Sequence, residues 1–135
     1  MVPESAIRNH DWDMIASLTA KAVNAVHGFA IHHVAFNCGS SEKGEETAES
    51  FARLFGWEHI CADAADHAGT WIDAMKVPAK GTIGHIAVAV NDIPRAKAYM
   101  QNKGIAFEAQ TQSQVCWLKD EIMGFGIQIV DPKLM

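Results

Sequence analysis

Apolar residues recur at helical spacing over residues 11–27. Ile15, Leu18, Ala22 and Val26 fall on one stripe, with Asp11 placed as an N-cap and Gly28 as a stop. The period then changes. "FAIHHVAFN" is a continuous apolar and aromatic run that reads as a strand. "GSSEKGEETAESFARLFG" reads as loop then helix, with Phe51, Leu54 and Phe55 facing the core and Gly56 at the end. Residues 57–76 are too few for another helix–strand pair. They suit three short strands, at 57–62, 64–68 and 70–76, with a turn at Gly69. The segment "VPAKGTIG" is a break, and "HIAVAV" beyond it is a strand. "NDIPRAKAYMQNKG" has a cap at Asn91 or Asp92, Pro94 in the first turn, an inner stripe of Ile93, Ala96 and Met100, and Gly104 as its stop. "IAFEAQT", "QVCWLK" and "FGIQIVD" read as three more strands.

After the leading helix, the order strand–helix–strand–strand–strand therefore occurs twice, over 29–77 and 83–131. This is an internal duplication with a period of about 50 residues, carried by element order more than by identity. It predicts an α+β fold: a single domain over 1–135 made of two βαβββ modules, preceded by a helix over 11–27.

Strand parity gives the duplication chemical content. Side chains alternate between faces. His33 shares a face with Ile31, Ala35 and Asn37, while His32, Val34 and Phe36 take the other; only one histidine of the pair is expected on the cleft side. His85 shares a face with Ala87 and Ala89, opposite Ile86, Val88 and Val90. Bulky residues belong under the helices, so the histidine face is lined by small or polar groups, as a cleft would be. In the closing strands Asp73 lies with Trp71 and Met75, and Gln128 with Gly126 and Val130. Each module thus offers one histidine from its first strand and one oxygen donor from its last.

Composition narrows the classes. A net charge of −5 argues against nucleic acid and anionic membrane as partners. No run of about 18 apolar residues occurs, as a spanning helix would need, and the N-terminus lacks signal-peptide character. Cys38, Cys61 and Cys116 are scattered and odd in number, which points to a reducing, cytoplasmic setting without a disulfide framework. No neighbour that would lower a thiol pKa is visible in the sequence. His10, His27, His59 and His67 lie near ends or turns and read as solvated.

The stretches "GFAIHHVAFN", "FARLFGW", "WIDAMK", "GTIGHIAVAVNDIPRAKAYM" and "WLKDEIMGFGIQIV" resemble the vicinal oxygen chelate, or glyoxalase/bleomycin-resistance, superfamily. The closer resemblance is to the glyoxalase-like domain appended to some bacterial 2-keto-3-deoxy-6-phosphogluconate/4-hydroxy-2-oxoglutarate aldolases; the leading helix looks like that domain's entry segment. The resemblance covers nearly the whole chain. It implies paired βαβββ modules around a cupped cleft and a divalent metal (Zn, Ni, Mn, Fe or Co) held at His33, Asp73, His85 and Gln128. It also implies a homodimer and a separate aldolase as partners. The family often has glutamate where this chain has Asp73. Glyoxalase I has a carboxylate, ligand and base, where this chain has Gln128, and glutamine accepts no proton at neutral pH.

Two functions follow. One is a metal-dependent lyase or isomerase acting on a small oxygenated anion, such as a 2-keto acid or sugar acid. The other is a non-catalytic ligand-binding or assembly module with a degenerate metal site, its histidines hydrogen-bonded within the cleft. Asn37, Trp71 and Met75 are the expected substrate-pocket residues, with core packing the alternative for Trp71 and Met75. Arg95, Lys76 and Lys119 are the cations that an anionic substrate would meet, unless they are simply solvated.

Overall fold

The computed structural model describes residues 1–134. Helices α1 (Glu4–Arg8) and α2 (Trp12–His27) lead into strand β1 (Ala30–Asn37), helix α3 (Ser41–Phe55) and strands β2 (His59–Ile60), β3 (Ala65–Ala68) and β4 (Ile72–Met75). Strand β5 (Gly84–Ala89), helix α4 (Ile93–Asn102) and strands β6 (Val115–Trp117) and β7 (Phe125–Val130) follow.

The helix ends follow from local chemistry. Asp11 accepts from Met14 N–H at 3.1 Å, Ser40 from Lys43 N–H at 3.2 Å and Asp92 from Arg95 N–H at 2.7 Å, so each longer helix opens on a side-chain cap. Gly28 and Gly56 close α2 and α3 in the left-handed conformation.

One seven-stranded mixed sheet runs in the order β2-β3-β4-β1-β5-β7-β6. The first and last strands of each half pair in parallel, β1 with β4 and β5 with β7, and β1 meets β5 antiparallel at the centre. Helices α3 and α4 lie on one face. Under α3, buried Ala52, Ala68 and Ile72 pack with Val34, Phe36 and Phe51. Under α4, Ile93 and Ala96 pack with Val90, Cys116, Ile129 and Phe107. Bulky residues of the central strands sit beneath helices, and the alanines of β5 face the other way, where Ala87, Ala89 and Val130 gather with Val115 and Leu134.

Three expectations are corrected, and one element is new. The short α1 was not legible. Residues 105–111 do not form a strand; only Phe107 bridges, to Leu118. Glu108 N–H still donates to the Trp117 carbonyl and Lys119 N–H to the Ala106 carbonyl, both at 2.9 Å, while beyond them the Gln110 side chain donates to the Gln112 carbonyl at 2.8 Å. Leu54 and Phe55 are exposed rather than inward. The buried face of α3 is Gly44, Ala48 and Ala52, because the helix lies close to the sheet: a β-carbon at Gly44 would stand 3.2 Å from the Ala74 carbonyl. Along α2, Ile15 and Leu18 are half-buried, but Ala22 and Val26 are exposed, so this stripe is only partly covered. No helix among the described residues is long and apolar enough to cross a membrane.

Candidate metal centre

Strand register assembles the site. Asp73, Ala35, His85 and Gly126 form one row across β4, β1, β5 and β7. His33, Ala87 and Gln128 form the next row on the same face. The four predicted donors therefore alternate with alanine and glycine, whose small side chains leave room above the sheet for two imidazoles. Ala35 and Ala87 are fully buried beneath them.

His33 Nε2 is the meeting point. It lies 3.3 Å from His85 Nε2, 3.4 Å from the Gln128 side-chain nitrogen and 3.7 Å from Asp73 Oδ2. Rotating the glutamine amide by half a turn would present its oxygen instead. Metal–nitrogen bonds of about 2.0–2.1 Å place neighbouring donors of one ion about 3.0–3.4 Å apart. The His33–His85 and His33–Gln128 spacings fit neighbouring donors of one ion, whereas Asp73 approaches only His33: the three donors do not all lie within 4.8 Å of one another, so Asp73 must turn inward to join His85 on an ion.

Both imidazoles are neutral at pH 7. Burial lowers the His85 pKa to about 4; His33 beside it adds to the shift, and Asp73 opposes it. Burial also lowers His33, against the pull of Asp73, with His32 and His67 adding to the fall. Neutral imidazole is the form that binds a metal. His85 Nδ1 is buried without a hydrogen-bond partner, and the Lys80 backbone is a further, smaller influence that opposes the fall in the His85 pKa.

Parity failed at one point. The β1–β5 register shifts between Ile31 and His33, so His32 is the extra residue of a β-bulge. His32 and His33 therefore both border the cleft, and their Nδ1 atoms stand 2.8 Å apart. One ring must donate there and the other accept. With His33 as donor, its Nε2 lone pair faces His85, so the bulge can set the tautomer of the central histidine.

His67 is the second residue missed. It read as solvated, but it faces the cleft and donates from Nδ1 to Asp73 Oδ1 at 2.8 Å. That bond leaves Asp73 Oδ2 as the oxygen nearer His33. The β3–β4 register, His67 opposite Asp73, was the signal that could have found it. His27 also read as solvated and is buried, stacked on Phe29 and packed against the tilted ring of Tyr99.

A cavity of about 630 Å³ opens beside the cluster, bordered by His32, His33, His67, Asp73, Ile60 and Leu134. A smaller one of about 230 Å³ lies across it, bordered by Gln110, Gln112, Trp117 and Gln128. The three expected pocket residues border neither cavity. The Asn37 amide donates to the carbonyls of Ala79 and Gly81 and accepts from Ala79 N–H, pinning the segment between the halves. Trp71 precedes β4 and packs on Trp57, which belongs to the cluster under α3. Met75 shares the face of Asp73 but sits two residues further along β4. No lysine or arginine borders either cavity. Lys76 pairs with Asp66, and Arg95 and Lys119 are exposed.

Comparison with protein-family models, with curated proteins and with solved structures finds no match to this chain.

Proposed function

We propose that the chain is a glyoxalase-like protein of the vicinal oxygen chelate type. In this reading His33, His85 and Asp73 hold one divalent cation, and Gln128 supplies a neutral fourth contact. The observation that supports it is the two-row placement of four donors from four strands, with two neutral imidazole nitrogens 3.3 Å apart. Two imidazoles and one carboxylate suit Zn, Ni, Mn, Fe or Co.

A bound ion would supply Lewis acidity, polarising adjacent substrate oxygens toward an enolate. The chain's own residues do the rest. His67 orients Asp73, and His32 fixes the His33 ring, as outer partners of metal ligands commonly do. Ile60 and Leu134 give the larger cavity an apolar wall that limits water. The substrate class is a small oxygenated anion such as a 2-keto acid. No lysine or arginine lines the cavities, and Lys80, which lies over Trp117, is paired with Glu108, so the ion would be the substrate's main counter-charge.

A non-catalytic module for ligand binding or assembly is the second reading. Gln128 favours it, because no carboxylate stands where glyoxalase I carries its base. A second copy of this chain, meeting the partly covered α2, and a separate aldolase are the partners in either case.

Metal analysis tests the proposal. Protein grown with supplemented Zn, Ni, Mn, Fe and Co should lose one ion per chain in His33→Ala, His85→Ala and Asp73→Ala, with the circular dichroism spectrum unchanged. Equal metal content in wild type and these variants would refute it. Given an ion, turnover of 2-keto acids by the loaded wild type separates the enzyme from the binding module.

A further inference from the structure

The β2–β3 hairpin carries another group of donors, on the opposite side of the sheet. His59 pairs with Ala68 and Ile60 with His67. Alternation then places His59 and Cys61 on the face of Asp66 and Ala68, the side covered by α3, while Ile60 and His67 line the cleft. The sequence pattern His-x-Cys, four residues, Asp encodes this through the hairpin register.

The two oxygens of the fully buried Asp66 carboxylate have different neighbours. Oδ1 accepts from Ala62 N–H at 3.1 Å and from Lys76 Nζ at 2.6 Å. Oδ2 faces His59 Nε2 at 3.4 Å. Lys76 also donates to the Ala62 carbonyl at 3.0 Å, so one ammonium ties both the carboxylate and the turn. Burial pushes the Asp66 carboxyl up, but Lys76, Ala62 and His59 together hold it below the usual range, as a carboxylate.

Cys61 Sγ lies 3.8 Å from His59 Nε2, the same nitrogen that faces Asp66. This detail decides between two chemistries. A nucleophile–histidine–acid relay needs both ring nitrogens, one toward each neighbour. Here both neighbours meet Nε2, so the trio is not arranged as a relay. A cation between the three donors would need only that one lone pair. The His59 nitrogen, the Cys61 sulfur and an Asp66 oxygen all lie within 4.8 Å of one another. Zinc bonds of about 2.3 Å to sulfur and 2.0–2.1 Å to nitrogen or oxygen put neighbouring donors about 3.3–3.6 Å apart. The two pairs that share His59 Nε2, at 3.8 and 3.4 Å, need only a few tenths of an ångström to close, Cys61 and Asp66 must draw together from within 4.8 Å, and the exposed Cys61 gives an entry path.

We propose that His59, Cys61 and Asp66 form a zinc site on the β2–β3 hairpin. Thiolate, imidazole and carboxylate together select zinc over the hard cations. Lys76 acts as the positioning residue that turns Oδ2 toward the ion, and water fills the fourth position on the solvent side. The site shares no ligand with the histidine pair in the cleft, so either can exist without the other.

Cobalt(II) is the probe, because a thiolate ligand gives it a near-ultraviolet charge-transfer band that nitrogen and oxygen donors do not. Chelator-treated full-length protein titrated with cobalt should develop this band, and added zinc should abolish it. Cys61→Ser and His59→Asn should lose the band. Cys38→Ser should keep it, and so should His85→Ala, in which the cleft site is disabled. No band in wild type, or a band that survives Cys61→Ser, overturns the proposal whatever the cleft binds. A second measurement needs no variant: zinc should slow iodoacetamide labelling of Cys61 at least tenfold, read by peptide mass spectrometry, and chelator should restore it. Equal labelling rates with and without zinc would also overturn it.

Discussion

Acid should destabilise the metal-free protein through His85, and His85→Leu should remove that sensitivity. The residue is 8 % exposed and its pKa is about 4, against 6.5 for a free imidazole. Between those values the unfolded chain binds a proton that the folded chain refuses. Stability therefore rises with pH across this window: the contribution is complete above about pH 6.5 and is lost as pH falls toward 4. The depression corresponds to on the order of 3 kcal/mol in total, with a slope of at most about 1.4 kcal/mol per pH unit. His33 is lowered too and adds in the same direction. Leucine keeps the cleft filled, carries no proton and removes a buried Nδ1 that has no partner, so little is lost at pH 7. Urea unfolding with chelator present, at pH 7, 6 and 5, provides the assay. The stability of His85→Leu relative to wild type should improve by about 1 kcal/mol per unit on going from pH 6 to 5. Parallel pH profiles would refute the claim that His85 is held neutral by burial.

The remaining expectations concern ligand strength, backbone and assembly. Gln128→Glu should tighten divalent-metal binding by adding charge, and His67→Ala should weaken it about 10–100-fold by releasing Asp73, both read by calorimetric titration. Gly84→Ala should cost more than about 3 kcal/mol in thermal or urea melts, because φ there is 150° and the new β-carbon would lie 1.9 Å from the Ala35 carbonyl oxygen. A wild-type-like midpoint for that variant would contradict the described start of β5. Sedimentation at tens of micromolar, roughly the range for such interfaces, should give a homodimer, with Val26→Glu on the exposed part of α2 shifting it to monomer; a wild-type monomer would count against the second copy.

Much of this was legible because its causes are local. Asp11, Ser40 and Asp92 announce three helix starts, and Gly28 and Gly56 announce two stops. The split of β5 into His85, Ala87 and Ala89 against Ile86 and Val88 was enough to place His85 in the cleft. The misses came from pairing, which no single segment contains. The bulge at His32 arises from the β1–β5 register and overrides the alternation that had turned His32 away. His67 meets Asp73 only once β3 and β4 align, and His59 meets Asp66 only once the hairpin closes. Asn37 shared the cleft face by parity, but its amide is occupied by the segment that joins the halves. On α3, size misled: large residues were assigned inward where the close approach of the helix demands glycine and alanine.

The most direct test of the cleft site is anomalous diffraction at the absorption edge of zinc or nickel from crystals of the wild-type protein soaked in that ion. The account predicts a peak about 2.0–2.1 Å from both His33 Nε2 and His85 Nε2, with an Asp73 oxygen completing the contact, and no such peak in His85→Ala crystals. A fully soaked wild-type crystal with no density between the two imidazoles, or with the rings turned apart around water, would contradict it.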